Sequence, residues 1–314
     1  MTPVDWVTSV FTILLGLLAL LFHDRVNLSE IFVNIVIIFG SIFVANLFRA
    51  YSSSKLAGVV HAFYIMPIVV LIFKTVEKIS FPIHGSDYDN LFITIDRFLF
   101  GVDPTVWLYE HLPLSAIGVE FLQICYFSYY LMFIALATEL LIRRRQNVEH
   151  YHGQENELET YRFAIVYGFL LSYIGYLSLP GVGPRFTLHE FSLLPVELPG
   201  IWLTDGIRNA INAGENIHAT MTSAEALRVV TRDAFPSGHT ELTLLTMLLA
   251  FRFRTRTRWV ILFVGAGLIV STVFLRYHYV IDVLAGAVFA LVTLYSLPAV
   301  ERIFLRFKRP SAAT

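Results

Sequence analysis

Two short stretches of the chain gather residue types suited to proton transfer and nucleophilic attack at an anion. The first is Phe235-Pro236-Ser237-Gly238-His239-Thr240, where a proline, a hydroxyl, a glycine and a histidine head an apolar run. A helix N-terminus offers unpaired N–H groups and the positive end of the helix dipole, so an anion can bind there. Gly238 lets the anion approach the backbone, Ser237 adds a donor, and His239 stands beside it. The same Pro-Ser-Gly grammar also starts ordinary helices after a loop. The second stretch is His278-Tyr279-Val280-Ile281-Asp282. An i,i+4 spacing puts imidazole and carboxylate on one helical face, where Asp282 accepts a hydrogen bond from one ring nitrogen and leaves the other as an oriented lone pair. The bland alternative is a structural His–Asp pair at a helix end. Zinc needs more ligands than this pair and no His or Cys stands nearby, so neither a metal nor another cofactor is expected.

The elements that carry these stretches must be transmembrane helices. Of 314 residues, 56% are hydrophobic and 15% charged, with a mean hydropathy of +0.66. Soluble proteins run at roughly 45–50% apolar and about 25% charged, so this surplus requires an apolar solvent. Basic residues (23) balance acidic ones (24) for a net charge of −1, which excludes a general attraction to nucleic acid. The single cysteine, Cys125, permits neither an intrachain disulfide nor a cysteine metal site.

Apolar runs predict an all-α bundle of about eight spans, near residues 4–22, 31–48, 56–73, 116–142, 162–180, 237–251, 259–277 and 280–300. Residues 1–54 hold two N-terminal spans, 55–301 a six-helix core, and 302–314 a basic tail. The first run lacks a basic leader and a small-residue cleavage pattern, and reads as a retained helix rather than a cleaved signal. Fourteen of the 23 Lys and Arg residues fall in the tail and in the connections after the second, fourth and sixth spans. The positive-inside rule therefore places both termini in the cytoplasm, with a plasma or inner membrane as the expected location. Two long connections, 77–115 and 181–234, then lie outside. The first contains Leu91, Phe92, Ile95, Phe98 and Leu99 at helical spacing and should lie along the interface. In the second, Thr222 with Glu225 three residues on predicts a short capped helix to about Arg232. A connection this long suits a lid over a site.

This orientation, derived from basic residues alone, puts His239, His278 and Arg185, in Pro180-Gly181-Val182-Gly183-Pro184-Arg185, at one membrane face. Here the pattern resembles the type 2 phosphatidic acid phosphatase superfamily of membrane lipid phosphatases and phosphotransferases. Its Pro-Ser-Gly-His motif is complete at Pro236 to His239, and its Ser-Arg-x5-His-x3-Asp motif is met by Ser271, His278 and Asp282. The Lys-x6-Arg-Pro motif is met only by Arg185, with Ser178 in the lysine position, and Thr272 replaces the arginine of the later motif. Arg276, four residues beyond Thr272, is expected to fill that position from the same helical face. These departures resemble the inositol phosphorylceramide and sphingomyelin synthase branch.

The resemblance implies a lipid phosphate substrate drawn from among the membrane lipids. It also implies catalytic His278, His239 and Asp282, with Arg185, Ser237, Gly238 and Arg276 binding the phosphoryl oxygens. His278 attacks phosphorus, His239 protonates the leaving oxygen, and arginines supply the charge that a metal supplies elsewhere. Two other classes stay open: a transporter whose His61, Glu120, Glu139 and Glu241 mark an ion path, and a noncatalytic lipid-binding homologue.

Overall fold

In a medium without water, a chain this apolar must close its backbone hydrogen bonds inside helices. The computed structural model describes residues 2–52, 54–146, 156–218 and 220–308, and among these it is all-helical with no strand. The first helices in chain order are α1 (Pro3–Leu21), α2 (Leu28–Tyr51), α3 (Lys55–Phe63) and α4 (Ile65–His84). Next come α5 (Asp89–Phe100), α6 (Pro104–His111), α7 (Ala116–Phe127), α8 (Tyr129–Gln146) and α9 (Glu157–Ser178). Four short helices follow, α10 (Pro184–Thr187), α11 (Leu194–Glu197), α12 (Thr204–Gly214) and α13 (Ser223–Val229), and the chain closes with α14 (Gly238–Arg252), α15 (Arg258–Phe274) and α16 (Val280–Lys308). His150, His152 and the end of the basic tail, 309–314, lie outside the described residues.

By length and apolarity, four helical stretches can cross a membrane, and five if one bent pair counts as a span. The expected eight included α9, which is not among these stretches, and α14 and α15, which have 15 and 17 residues; α9 and α14 are largely buried in the bundle. α9 packs against α1, α4, α8, α14 and α16. Gly168 of α9 permits close approach to α14, since a Cβ there would lie 2.8 Å from Leu245. The fourth expected span is broken into α7 and α8, bent by 50°. At the break Ser128 donates its hydroxyl to the Cys125 carbonyl at 2.6 Å, a side-chain intrusion into the helical ladder of the kind that bends helices. The third span runs on as α4 to His84, so the connection expected from residue 77 begins later. The capped helix expected at Thr222 is present, with both bonds of the capping box, and ends at Val229.

The intramembrane carboxylates hold helix starts together. Glu120 accepts the N–H groups of Ile201 (2.9 Å) and Leu203 (2.6 Å) and the Thr204 hydroxyl (2.7 Å) at the head of α12. Glu139 accepts the N–H groups of Arg256 (2.6 Å) and Thr257 (3.0 Å) at the head of α15. Asp96 accepts those of Val280 (2.9 Å) and Ile281 (2.8 Å) at the head of α16. Glu241 takes hydroxyls from Ser172 and Thr293. His61 packs beside Tyr64, with ring centroids 5.4 Å apart.

α15 ends before the position that the sequence assigns to a helical Arg276. Its C-cap is Leu275, and Arg276 follows with φ 67°, in the left-handed region usually given to glycine or asparagine. The N–H groups of Tyr277 and His278 both return to the Thr272 carbonyl at 2.9 Å, which closes the helix end. A left-handed conformation costs a residue with a Cβ about 1–2 kcal/mol. Arg276→Gly should therefore be more stable than Arg276→Ala by about 1 kcal/mol, read by unfolding of the two purified variants in detergent. Equal stability, or a more stable alanine variant, would contradict a backbone strain at this position.

Candidate active site

Ser237 is the N-cap of α14, where its hydroxyl oxygen accepts the N–H of Thr240 at 3.2 Å and the Thr240 hydroxyl at 3.1 Å. Its own hydroxyl hydrogen remains to be donated. Gly238 sits where a Cβ would press on the Tyr176 hydroxyl, so side-chain-free backbone is required for α9 to close against this turn. The Ser237 N–H donates to the Asp282 carbonyl at 2.9 Å, which ties the head of α14 to the head of α16. His239 then lies between two rings at the bend of α7 and α8, stacked on Tyr126 at 4.6 Å and tilted against Tyr129 at 4.4 Å.

His278 and His239 meet. Nε2 of His278 lies 3.3 Å from Nδ1 of His239. On its other side, Nδ1 of His278 lies 2.9 Å from the Ala234 carbonyl oxygen and 3.5 Å from Asp282 Oδ2. A carbonyl can only accept, so Nδ1 carries the proton and Nε2 presents a lone pair. The i,i+4 spacing does not act through a shared helical face, because α16 begins at Val280, after His278. Asp282 instead reaches back from the first turn, accepting the Tyr279 N–H at 2.9 Å, and is fully buried beneath the imidazole.

Arg185 is the second residue of α10. Gly183 has φ 91°, and a Cβ there would lie 2.6 Å from the Tyr277 carbonyl oxygen, so glycine is required. The Arg185 N–H donates to the Arg276 carbonyl at 3.1 Å. Its guanidinium lies 4.9 Å from the Tyr277 ring centroid, pairs with Glu215 and reaches Asn212 at 3.4 Å. Burial pushes the Glu215 carboxyl above the usual carboxylate range, against the pull of the neighbouring Arg185 charge. Glu215 thus stands where an anionic ligand of Arg185 would stand.

A cavity of about 410 Å³ opens beside His239. Tyr129, Tyr130, Phe169 and Tyr173 form its aromatic wall, Val69 and Phe73 of α4 extend it, and Glu215, Thr231 and Asp233 mark its polar end. Arg276 is directed elsewhere: its guanidinium pairs with Glu197 and lies 4.6 Å from the Tyr109 ring centroid. Its left-handed backbone is the reason, since it turns the side chain out of the line that a continued helix would give. Arg232 is also engaged, with Asp87 at 3.4 Å, the Leu227 carbonyl at 2.9 Å and the Phe81 ring. Among the described residues no group of three or more His, Cys, Asp or Glu is arranged to hold a metal ion.

Sequence reasoning missed the Ala234 carbonyl, the Tyr126 and Tyr129 clamp, and the Glu215 pairing. A carbonyl acceptor leaves no trace in residue type; the two tyrosines at i,i+3 were visible only as part of an apolar run. If Glu215 occupies the anion position, Glu215→Gln should bind inorganic phosphate about tenfold more tightly, a gain of about 1.4 kcal/mol, because the ligand no longer displaces a carboxylate. Phosphate-dependent rises in Tm of the two proteins measure this. Equal rises would show that Glu215 does not compete for Arg185.

No curated protein and no solved structure matches the chain. A family model does, that of the PAP2 superfamily, over residues 93–296. The match runs from α5 into α16 and takes in Arg185, Ser237 to His239, Arg276, His278 and Asp282. Members of this superfamily are in general phosphatases and phosphotransferases. Since the matched segment covers more than half of the 314 residues, this helical membrane protein belongs to the PAP2 superfamily.

Proposed function

We propose that the protein is an integral membrane enzyme that cleaves or transfers the phosphoryl group of a lipid phosphate, or of a phospholipid head group, through a phosphohistidine on His278. The observation that carries this reading is the placement of His278, whose Nδ1 lies 2.9 Å from the Ala234 carbonyl and donates to it, so that Nε2 turns toward Nδ1 of His239 as an acceptor. Nε2 attacks phosphorus, and the P–O bond to the leaving alcohol breaks as His239 gives that oxygen its proton. In the second step water or an alcohol returns a proton to His239, attacks phosphorus and releases His278. Asp282 steadies the positive charge that the attacking imidazole acquires.

Arg185, the Ser237 hydroxyl and the Gly238 N–H bind the phosphoryl oxygens, with the head of α14 adding its dipole. Arg276 joins this set only on release from Glu197. Arginine charge and a side-chain nucleophile make the reaction metal-independent. The aromatic cavity accommodates the apolar part of the lipid whether water or an alcohol is the acceptor, and the second form of the reading is an alcohol acceptor, as in inositol phosphorylceramide synthases. Labelled lipid phosphates and phospholipids, incubated with and without polyol acceptors, show where the phosphoryl group ends.

His278→Ala should abolish turnover, and EDTA should leave the wild-type rate unchanged. His239→Ala should lose about 10²–10⁴-fold on alkyl phosphates and much less on para-nitrophenyl phosphate, whose leaving group needs little protonation. Equal losses on both substrates would remove His239 from the role of acid.

The positive-inside pattern puts the termini in the cytoplasm and the site at the extracytoplasmic face. Reporter cysteines belong at exposed positions such as Val196 for the outer side and Gln146 for the inner, because Gly183 and Ala234 are buried and the native Cys125 is buried as well. In intact cells an impermeant maleimide should label Val196→Cys and spare Gln146→Cys. The reverse pattern would overturn the orientation.

A further inference from the structure

We infer that Asp89, at the start of α5, is the positioning residue that holds the phosphate-binding turn and the nucleophile in register. The inference rests on the reaction proposed above. Asp89 precedes the segment matched to the family, and its side chain is buried, with the residue 5% exposed. Three donors converge on its carboxylate. Oδ2 accepts the N–H of Val182 at 3.0 Å, and Oδ1 accepts both the N–H of Gly183 at 2.9 Å and the Tyr279 hydroxyl at 2.8 Å.

The three donors lead to two parts of the site. Val182 and Gly183 form the turn that delivers Arg185 two residues later. Tyr279 follows His278 directly, and is buried. A second route reaches the same imidazole from its far side: the Gly181 carbonyl accepts the Ala234 N–H at 3.1 Å, and the Ala234 carbonyl accepts Nδ1–H of His278 at 2.9 Å. Phe92, three residues along α5 from Asp89, stacks on Phe235 at 4.9 Å, beside the Pro-Ser-Gly-His turn. The relative placement of Arg185, His278 and the head of α14 is thus referred to one helix that contributes no reacting group.

Only an ionised carboxylate offers acceptors on both oxygens. Asparagine would turn an NH2 group toward one of these donors, and the turn and the imidazole would lose their common reference.

The test compares wild type, Asp89→Asn, Tyr279→Phe, the double variant, and Asp103→Asn as a control in the exposed Arg97 pair. Two quantities are read in detergent: turnover of a lipid phosphate, and equilibrium binding of orthovanadate, whose five-coordinate form needs Arg185 and His278 in mutual alignment. Asp89→Asn should retain the wild-type number of vanadate sites per chain while kcat and vanadate affinity fall about 10- to 100-fold, with KM changed far less. Tyr279→Phe should lose less, and the double variant no more than Asp89→Asn alone, because both act through one network. Asp103→Asn should match wild type.

A loss of vanadate sites in proportion to rate, with unchanged affinity at those remaining, would reduce Asp89 to a folding role and overturn the inference. So would an unchanged rate and affinity, or multiplicative losses in the double variant. Should wild type bind vanadate yet turn over no lipid phosphate or phospholipid, the proposed reaction fails and the vanadate affinities alone decide the role of Asp89. Failure of wild type to bind vanadate overturns both.

Discussion

The structure depends on one constraint: the first N–H groups of a helix have no intrahelical acceptor and must find one elsewhere. This chain answers with carboxylates supplied from other elements. Asp96 serves α16, Glu120 serves α12, Glu139 serves α15, and Asp89 serves the turn before α10. Three of these four reach the candidate site. α16 carries Asp282, α12 leads to Asn212 and Glu215 on Arg185, and the Asp89 turn leads to Arg185 itself. The same hydrogen bonds answer the alternative of an ion path, because Glu120, Glu139 and Glu241 each have donors in place. An ion path requires carboxylates that can release one partner for another along a connected route.

The electrostatics of the site follow from how few cations are free to face it. Among the described residues, Arg232 and Arg276 are paired with acids of their own, and Arg185, against the ring of Tyr277 next to His278, is paired with Glu215. A buried guanidinium without a counter-charge is costly, so an internal carboxylate stabilises the unliganded protein. A phosphoryl group that displaces Glu215 exchanges one anion for another, and the net gain in binding is the difference between the two pairings. In the proposed reaction such an exchange would limit how tightly a phosphate product is retained.

The sequence made the identities of His239, His278, Asp282 and Arg185 legible because their chemistry is tied to short motifs, and the distribution of basic residues assigned them to one face before any fold was known. The structure sets His278 beside both His239 and Asp282, and Arg185 against the ring of Tyr277, the residue before His278. What was not legible depends on backbone conformation and on contacts distant in the chain. Arg276 reads as one more turn of α15, and only its left-handed φ turns it toward Glu197. The α7–α8 run has uniform apolarity across Ser128, so its bend could not be seen in hydropathy, although that bend delivers Tyr126 and Tyr129 to His239. α9 reads as an ordinary span because apolar periodicity does not separate a helix buried among helices from one facing lipid. Asp89 is one of several acids in its connection, and its three donors come from residues about 90 to 190 positions away, a separation that local reading does not cross.

The two imidazoles, 3.3 Å apart, stand too close for a phosphoryl group to lie between them, since a near-attack nitrogen needs about 3–3.5 Å to phosphorus alone. One ring must move as substrate arrives. His278 is held on Nδ1 by the Ala234 carbonyl, backed by Asp282, and through the backbone by the Thr272 carbonyl. These are directional contacts to buried groups. His239 is held mainly by the faces of Tyr126 and Tyr129, and stacking tolerates sliding within the plane far better than a hydrogen bond tolerates bending. In the proposed reaction His239 is therefore the ring to yield, along the tyrosine faces toward the cavity that both tyrosines line. Its destination would be the side of phosphorus opposite Nε2, where an in-line reaction places the leaving oxygen. The asymmetry in how the two rings are held thus matches the roles proposed for them: the proposed nucleophile is fixed by directional contacts, and the proposed acid is the ring held loosely enough to reach the leaving oxygen.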